Sequence, residues 1–161
     1  MSTNGRALYR AATFVAIENN KGEFLLQRRA NTGFLDSYYD FASGHLEHGE
    51  SYEACAMREV KEELGIKVTL TDLEIAALCQ TAFEPGVHYV DVIFRTKIFK
   101  GTPIIGEPEK IDHMGWYAPN DFPAKLTVGV RVFLMSLKDD GVQNYYIDAA
   151  RYKEMIGKSY E

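Results

Sequence analysis

Glu59, Glu62 and Glu63 lie three and four residues apart in GHLEHGESYEACAMREVKEELGI, residues 44–66. In a helix that spacing stacks three carboxylates on one flank. Like charges so placed destabilise an isolated helix by roughly 0.2–0.5 kcal/mol per pair. Arg58 and Lys61 relieve only part of that repulsion. Two accounts are open. The three glutamates are a solvated acidic face with cations nearby, or they converge as hard oxygen donors for Mg²⁺ or Mn²⁺, ions that leave coordination positions for water and phosphate oxygens.

The elements around this stretch follow from periodicity. Ser51 has the chemistry of an N-cap and Gly65 stands where a C′ residue of positive φ is wanted, so residues 52–64 read as a helix. Its apolar sector is Ala56, Met57, Val60 and Leu64, next to the acidic sector. Before it, residues 12–19 and 23–29 read as a strand pair around the turn-prone NKG, and residues 38–44 as a third strand. After it come strand candidates 74–83, 88–99 and 113–118, then a second helix at 127–140 ending at Gly141. This order implies an α/β fold in which a mixed sheet lies between helices. Residues 1–161 are expected to form one domain, with 142–161 as an extension packing on it or on a second subunit. In the extension, Asp148 caps a short helix with Tyr152, Met155 and Ile156 on its apolar face.

The wider pattern resembles the Nudix box, Gly-x5-Glu-x7-Arg-Glu-U-x-Glu-Glu-x-Gly-U, where U is bulky and aliphatic. Gly44, Glu50, Arg58, Glu59, Val60, Glu62, Glu63, Gly65 and Ile66 occupy every fixed position. The resemblance implies a Nudix-type α/β/α sandwich and metal-dependent hydrolysis of a nucleoside diphosphate linked to another group. It implies that Glu62 and Glu63 ligate Mg²⁺ or Mn²⁺, that the Gly44 carbonyl joins them, and that Glu59 is a ligand or the base. Arg58 would orient these carboxylates and Glu50 would pair with it. Glu109, just before the strand holding Trp116, is preferred to Glu107 as a further catalytic acid. Arg28 or Arg29 is expected to reach a substrate phosphate, and strand alternation turns only one of them to the site. Among Phe14, Tyr39, Phe41, Phe83, Tyr89, Trp116 and Tyr117, Phe41 is the aromatic expected at the substrate.

Ala42-Ser43-Gly44 replaces the Pro-Gly-Gly usual in enzymes of this family that clear damaged nucleotides. A nucleoside triphosphate pyrophosphohydrolase is favoured over an ADP-ribose or nucleotide-sugar pyrophosphatase. A non-catalytic nucleotide-binding module would usually have lost box carboxylates. An isopentenyl diphosphate isomerase of the same fold needs a reactive cysteine, and neither Cys55 nor Cys79 has a suitable motif. The formal charge of −5 and pI near 5.4 come without a basic stripe, so a nucleotide-type small molecule is the expected partner rather than nucleic acid. No apolar run suits a signal peptide or membrane span, which sets the expectation of a cytoplasmic protein without membrane partners. A homodimer through the extension is the other expected association.

Overall fold

The computed structural model describes residues 4–84 and 86–157. Eight strands and three α-helices appear: β1 Tyr9–Ile17, β2 Phe24–Arg29, β3 Tyr39–Asp40, β4 Ala42–His45, α1 Tyr52–Leu64, β5 Glu74–Glu84, β6 Val87–Thr96, β7 Ile111–Tyr117, α2 Val128–Ser136, β8 Gln143–Asp148 and α3 Ala149–Gly157. A five-stranded mixed sheet has the order β4-β1-β6-β5-β8, and a three-stranded antiparallel sheet has the order β3-β2-β7. Among the described residues, no helix is long and apolar enough to cross a membrane.

Alternation along β1 divides the interior. Val15 and Ile17 pack with Ala56, Val60 and Leu64 of α1. Ala16 packs on the other face with Val130, Val132 and Phe133 of α2 and with Tyr152 of α3, and Phe14 lies against that cluster. Helices therefore cover both faces of the mixed sheet, the arrangement expected from the element order.

The strands near the site depart from the expected pairing. The turn forms as read, with Asn19 Oδ1 accepting from Lys21 N and Glu23 N. However, β1 and β2 enter different sheets, and the ladder between their ends is limited to a bridge between Glu18 and Phe24 among the described residues. β1 instead pairs in parallel with β6, and just beyond β1 the buried Glu18 carboxylate bonds Arg95 and Lys97. The strand expected at 38–44 is also broken. Phe41 buries its ring edge-on to Phe133, leaving β3 to pair with β2 and β4 with β1. That break carries Gly44 to the edge of the mixed sheet beside α1.

The extension begins with a strand that periodicity did not reveal. β8 runs parallel to β5, with Tyr145 opposite Cys79. The following helix matches the expected short helix. Asp148 Oδ1 accepts from Arg151 N at 2.8 Å, Tyr152 is buried, and Met155 and Ile156 pack against the core. The tail residues 158–161 lie outside the described residues. Ile147 is fully buried and Tyr146, its neighbour, is 57% exposed. Ile147→Ala should cost about 2–5 kcal/mol by denaturant unfolding, whereas Tyr146→Ala should stay within about 0.5 kcal/mol.

Candidate active site

α1 begins at Ser51, whose side chain accepts from Ala54 N, and ends at Gly65 with φ of 66°. Cys55, Ala56, Val60 and Leu64 bury its apolar side, which fixes the rotation that points Glu59 and Glu63 at β4. The approach is close. A Cβ on Gly44 would lie 1.9 Å from Glu59 Oε1 and 2.1 Å from its Cδ, so the carboxylate occupies the space any other residue would fill. Glu63 Oε2 accepts from Gln27 Nε2 at 2.7 Å and from Ser43 N at 3.1 Å.

Arg58 organises the outer part of the cluster. Its Nε and Nη2 hold Glu50 at 2.9 and 3.0 Å, and Nη2 also donates to the His45 carbonyl. Nη1 donates to Glu59 Oε1 at 2.6 Å and reaches Glu62 Oε2 at 3.4 Å. The guanidinium pulls Glu50 down to about 2. Glu59 moves the opposite way, because burial outweighs Arg58 and the neighbouring Glu62 and Glu107 charges add to it. Burial drives Glu63 up to about 8, opposed by its bond from Gln27 and reinforced by Glu59.

Residues 101–110 close the far end of α1. Ile104 N and Gly106 N donate to the carbonyls of Leu64 and Glu63, satisfying acceptors that a helix end leaves open. A Cβ on Gly106 would lie 2.0 Å from the Glu62 carbonyl oxygen, so this docking requires glycine. The contact sets Glu107, bonded to Lys110, where its charge is felt at Glu59. Glu109 is exposed, and its carbonyl accepts from Asn31. Glu107, one residue after Gly106, is thus held partly buried beside α1, whereas Glu109, three residues after it, stands exposed.

Alternation separates the arginines. Arg28 pairs with Asp112 at an exposed position, with its Nε 2.7 Å from Oδ1. Arg29 lies 3.5 Å from Asp40 and lines a cavity of about 210 Å³. Phe41 is 1% exposed within the core and does not line that cavity, which corrects its expected place at a substrate. Phe14 and Tyr89 supply aromatic surface there. Tyr39 and Tyr117 pack edge to face with each other, Trp116 stacks on Phe99, and the side chain of Phe83 lies outside the described residues.

The cavity lies on the α2 and α3 side of the sheet and reaches Ser43 and Gly44 at its rim. Two carboxyls face it, the buried Asp40 and the half-buried Asp91. Asp40 accepts from Thr127 Oγ1 at 2.8 Å and from Phe41 N, and burial raises it to about 6 against the pull of Arg29. Asp91 on β6 is raised by burial to about 8, and its solvent-shielded Oδ1 has no partner among the described residues. Sequence reading missed Gln27, Asp40 and Asp91. The available signal was a polar residue at an inward strand position, as in Leu25-x-Gln27 and Asp91-x-Ile93.

The residues also bear on a divalent cation. Among the described residues, no three His, Cys, Asp or Glu side chains converge tightly enough to form a finished cage. The donor set nevertheless fits a hard cation. Glu59 and Glu63 are carboxylates whose burial is poorly compensated, Glu62 is half exposed beside them, and Arg58 occupies the cationic role at Glu59 and Glu62.

The raised carboxyls set a pH dependence. A folded-state value above the unfolded one means that the native chain binds protons the unfolded chain has released. Stability in chelator should therefore fall as pH rises from about 5 through 8. Asp91→Asn should remove more than about 1 kcal/mol of that fall, read from urea midpoints across the range.

A NUDIX domain model matches residues 8–137. The NAD-capped RNA hydrolase NudC of Stutzerimonas stutzeri is 30% identical over 104 residues, covering 65% of this chain and 35% of that protein. An uncharacterised Nudix hydrolase of Yersinia pestis is 31% identical over 119 residues, covering 71% of this chain and 61% of that protein. The chain thus spans less than two thirds of the length of either relative. Among solved structures, a MutT Nudix hydrolase from Burkholderia pseudomallei superposes with a TM-score of 0.73 at 26% identity, covering 81% of this chain and 98% of that one. The family model takes in most of the chain, both faces of the mixed sheet and the whole carboxylate helix, and the chain belongs to the Nudix family.

Proposed function

We propose that this chain hydrolyses the diphosphate linkage of a nucleoside diphosphate joined to another group. Nucleoside triphosphates are the preferred substrates, giving a monophosphate and pyrophosphate. The observation that carries this reading is the meeting at Gly44 of two features: the buried carboxylates of α1 on one side and the rim of a cavity suited to part of a ligand on the other.

Glu59, Glu62 and Glu63, with the Gly44 carbonyl, would hold Mg²⁺ or Mn²⁺. The bound cation would neutralise phosphate oxygens and acidify a water. Arg58 holds Glu59 by Oε1, so Oε2 is the oxygen placed to accept a proton. Gln27 and the Ser43 amide orient Glu63. Glu107 adds negative charge that favours proton uptake at Glu59. Arg29, facing the cavity, is the guanidinium assigned to a substrate phosphate in place of Arg28. Glu109 receives no role in the reaction.

A second reading concerns the other half of the substrate. Relatives named as NAD-capped RNA hydrolases favour a dinucleotide diphosphate, at the end of an RNA or free. Turnover of nucleoside triphosphates, ADP-ribose, NAD and NAD-capped RNA with Mg²⁺, with products identified, separates the two. Release of pyrophosphate from a triphosphate at the highest kcat/KM supports the first, and faster cleavage of NAD or capped RNA supports the second.

Two substitutions test the carboxylate assignment. Glu63→Gln should lower turnover by roughly 10³-fold or more. Its stability in chelator should stay level or rise, because one of several clustered negative charges is gone. Exposed Glu74→Gln should change neither. Gly44→Ala should displace the Glu59 carboxylate and cost on the order of 10²-fold in kcat. Near-normal turnover in Glu63→Gln would make it an ordinary helix glutamate.

A further inference from the structure

The outer strands of the two sheets are β4 and β8 in one and β3 and β7 in the other. An outer strand offers unpaired N–H and C=O groups to other chains, and proteins blunt it with shortness, charge, bulges or a covering segment. β3 and β4 have two and four residues, and β3 is bridged by Leu126. β7 carries Asp112, tied to Arg28, and shifts register where it passes Arg28 and Arg29. β8 has none of these devices. It runs for six residues without Pro, Lys or Arg, and its single charge, Asp148, stands at the last position. β5 pairs with one side of it. In a parallel ladder alternate residues turn their backbone groups the other way, and no other backbone segment pairs with that side among the described residues. α3 leaves the edge open as well, turning back so that Tyr152 packs in one cluster with Ala77 and Cys79 of β5.

We propose that β8 pairs antiparallel with β8 of a second copy of this chain about a two-fold axis, joining two five-stranded sheets into one. The chain carries a net charge of −5, so copies repel over much of their surface. From Gln143 to Ile147 neither copy has a charge, and a charged partner would find none to pair with. Residues opposite one another in an antiparallel pair face the same side of the sheet, so a residue rather than a gap between two lies on the axis. Pairing with Leu78, Gln80 and Ala82 sets Asn144, Tyr146 and Asp148 on one face, and all three are exposed. With Tyr146 on the axis, it meets its own copy, Tyr145 meets Ile147, and Asn144 meets Asp148. The Oδ1 of Asp148 already holds Arg151 N, which leaves Oδ2 for the asparagine amide. Placing Tyr145 on the axis instead sets Gln143 against Ile147 and Asn144 against Tyr146, polar against apolar at both. The axis therefore belongs at Tyr146, which at 57% exposure has the most ring surface to bury. One strand pair falls below the roughly 1,200 Å² at which standard interfaces begin, so the dimer is weak and reversible.

Sedimentation velocity from about 1 to 200 μM should show the wild-type chain passing reversibly from monomer to dimer. Tyr146→Lys and Tyr146→Glu should each raise the dimer dissociation constant at least about tenfold, because residue 146 then meets a like charge across the axis. Mixed in equal amounts, the two variants should recover the dimer. At about 1 μM, where the monomer prevails, both should keep the wild-type melting midpoint. Under mild oxidation Tyr146→Cys should form a disulfide-linked dimer. Its Cα would lie about 4.5–5.5 Å from its copy, within the roughly 4.4–6.8 Å that a disulfide spans. Asn144→Cys, out of register with its own copy, should stay unlinked, and the native Cys55 and Cys79 are buried. A monomer at every concentration, a dimer that survives Tyr146→Lys unchanged, or a mixture of the two charged variants that stays monomeric overturns the proposal. Failure of Tyr146→Cys to link overturns it independently of how the charged variants fold.

Discussion

Everything at this site depends on how closely α1 can approach β4. The missing Cβ of Gly44 lets the Glu59 carboxylate into the helix–strand contact, and the rotation of α1 on its apolar side brings Glu63 to Ser43 and Gln27 at the same level. A carboxylate in that position has lost water without gaining an equal partner, which is why burial raises both Glu59 and Glu63. Arg58 offsets part of the cost from the outer side, held in place by two bonds to Glu50. The result is a cluster whose native charge distribution favours a cation, built from one tight contact and one anchored guanidinium.

Such an arrangement is unfavourable to folding, and the rest of the chain must offset it. Leaving a buried polar group unsatisfied costs about 1–3 kcal/mol, and Gln27 Oε1 and Asp91 Oδ1 both have no partner among the described residues. The offset comes from two apolar layers, one on each face of the mixed sheet. β8 and α3 belong to that support. Ile147 and Tyr152 enter the layer beneath α2, so the C-terminal extension stabilises the side of the sheet that carries the cavity.

How much of this was legible in the residues depended on whether a local rule or a distant contact decided the outcome. The carboxylate helix was legible because cap, apolar sector and terminating glycine all agree within residues 51–65. The sheet was only partly legible. Strand propensity located β1 and β2, but β1 pairs along its whole length with β6, some 77 residues on, where the Glu18 ion pairs with Arg95 and Lys97 also lie. The break at Phe41 was hidden for a similar reason, since its ring packs on Phe133, 92 residues on. Glu107 and Glu109 could not be ordered from sequence, because the docking of Gly106 on the end of α1 chooses between them. Asp91 was visible only as an anomaly in an otherwise apolar strand.

The division between the two faces of the sheet then explains why the site lies where it does. The clustered carboxylates and Arg58 are gathered on the α1 side, while the cavity with Arg29, Asp40 and Asp91 lies on the α2 and α3 side. A ligand with a ring at one end and phosphates at the other must cross from one face to the other, and a continuous sheet would bar the way. β4 is an edge strand of four residues, and the chain just before it has already left for the smaller sheet. Ser43 and Gly44 therefore form a short stretch of backbone that borders the cavity and also meets Glu59 and Glu63. Absence of a side chain at Gly44 serves both sides at once, admitting the carboxylate from one and keeping the rim of the cavity low on the other.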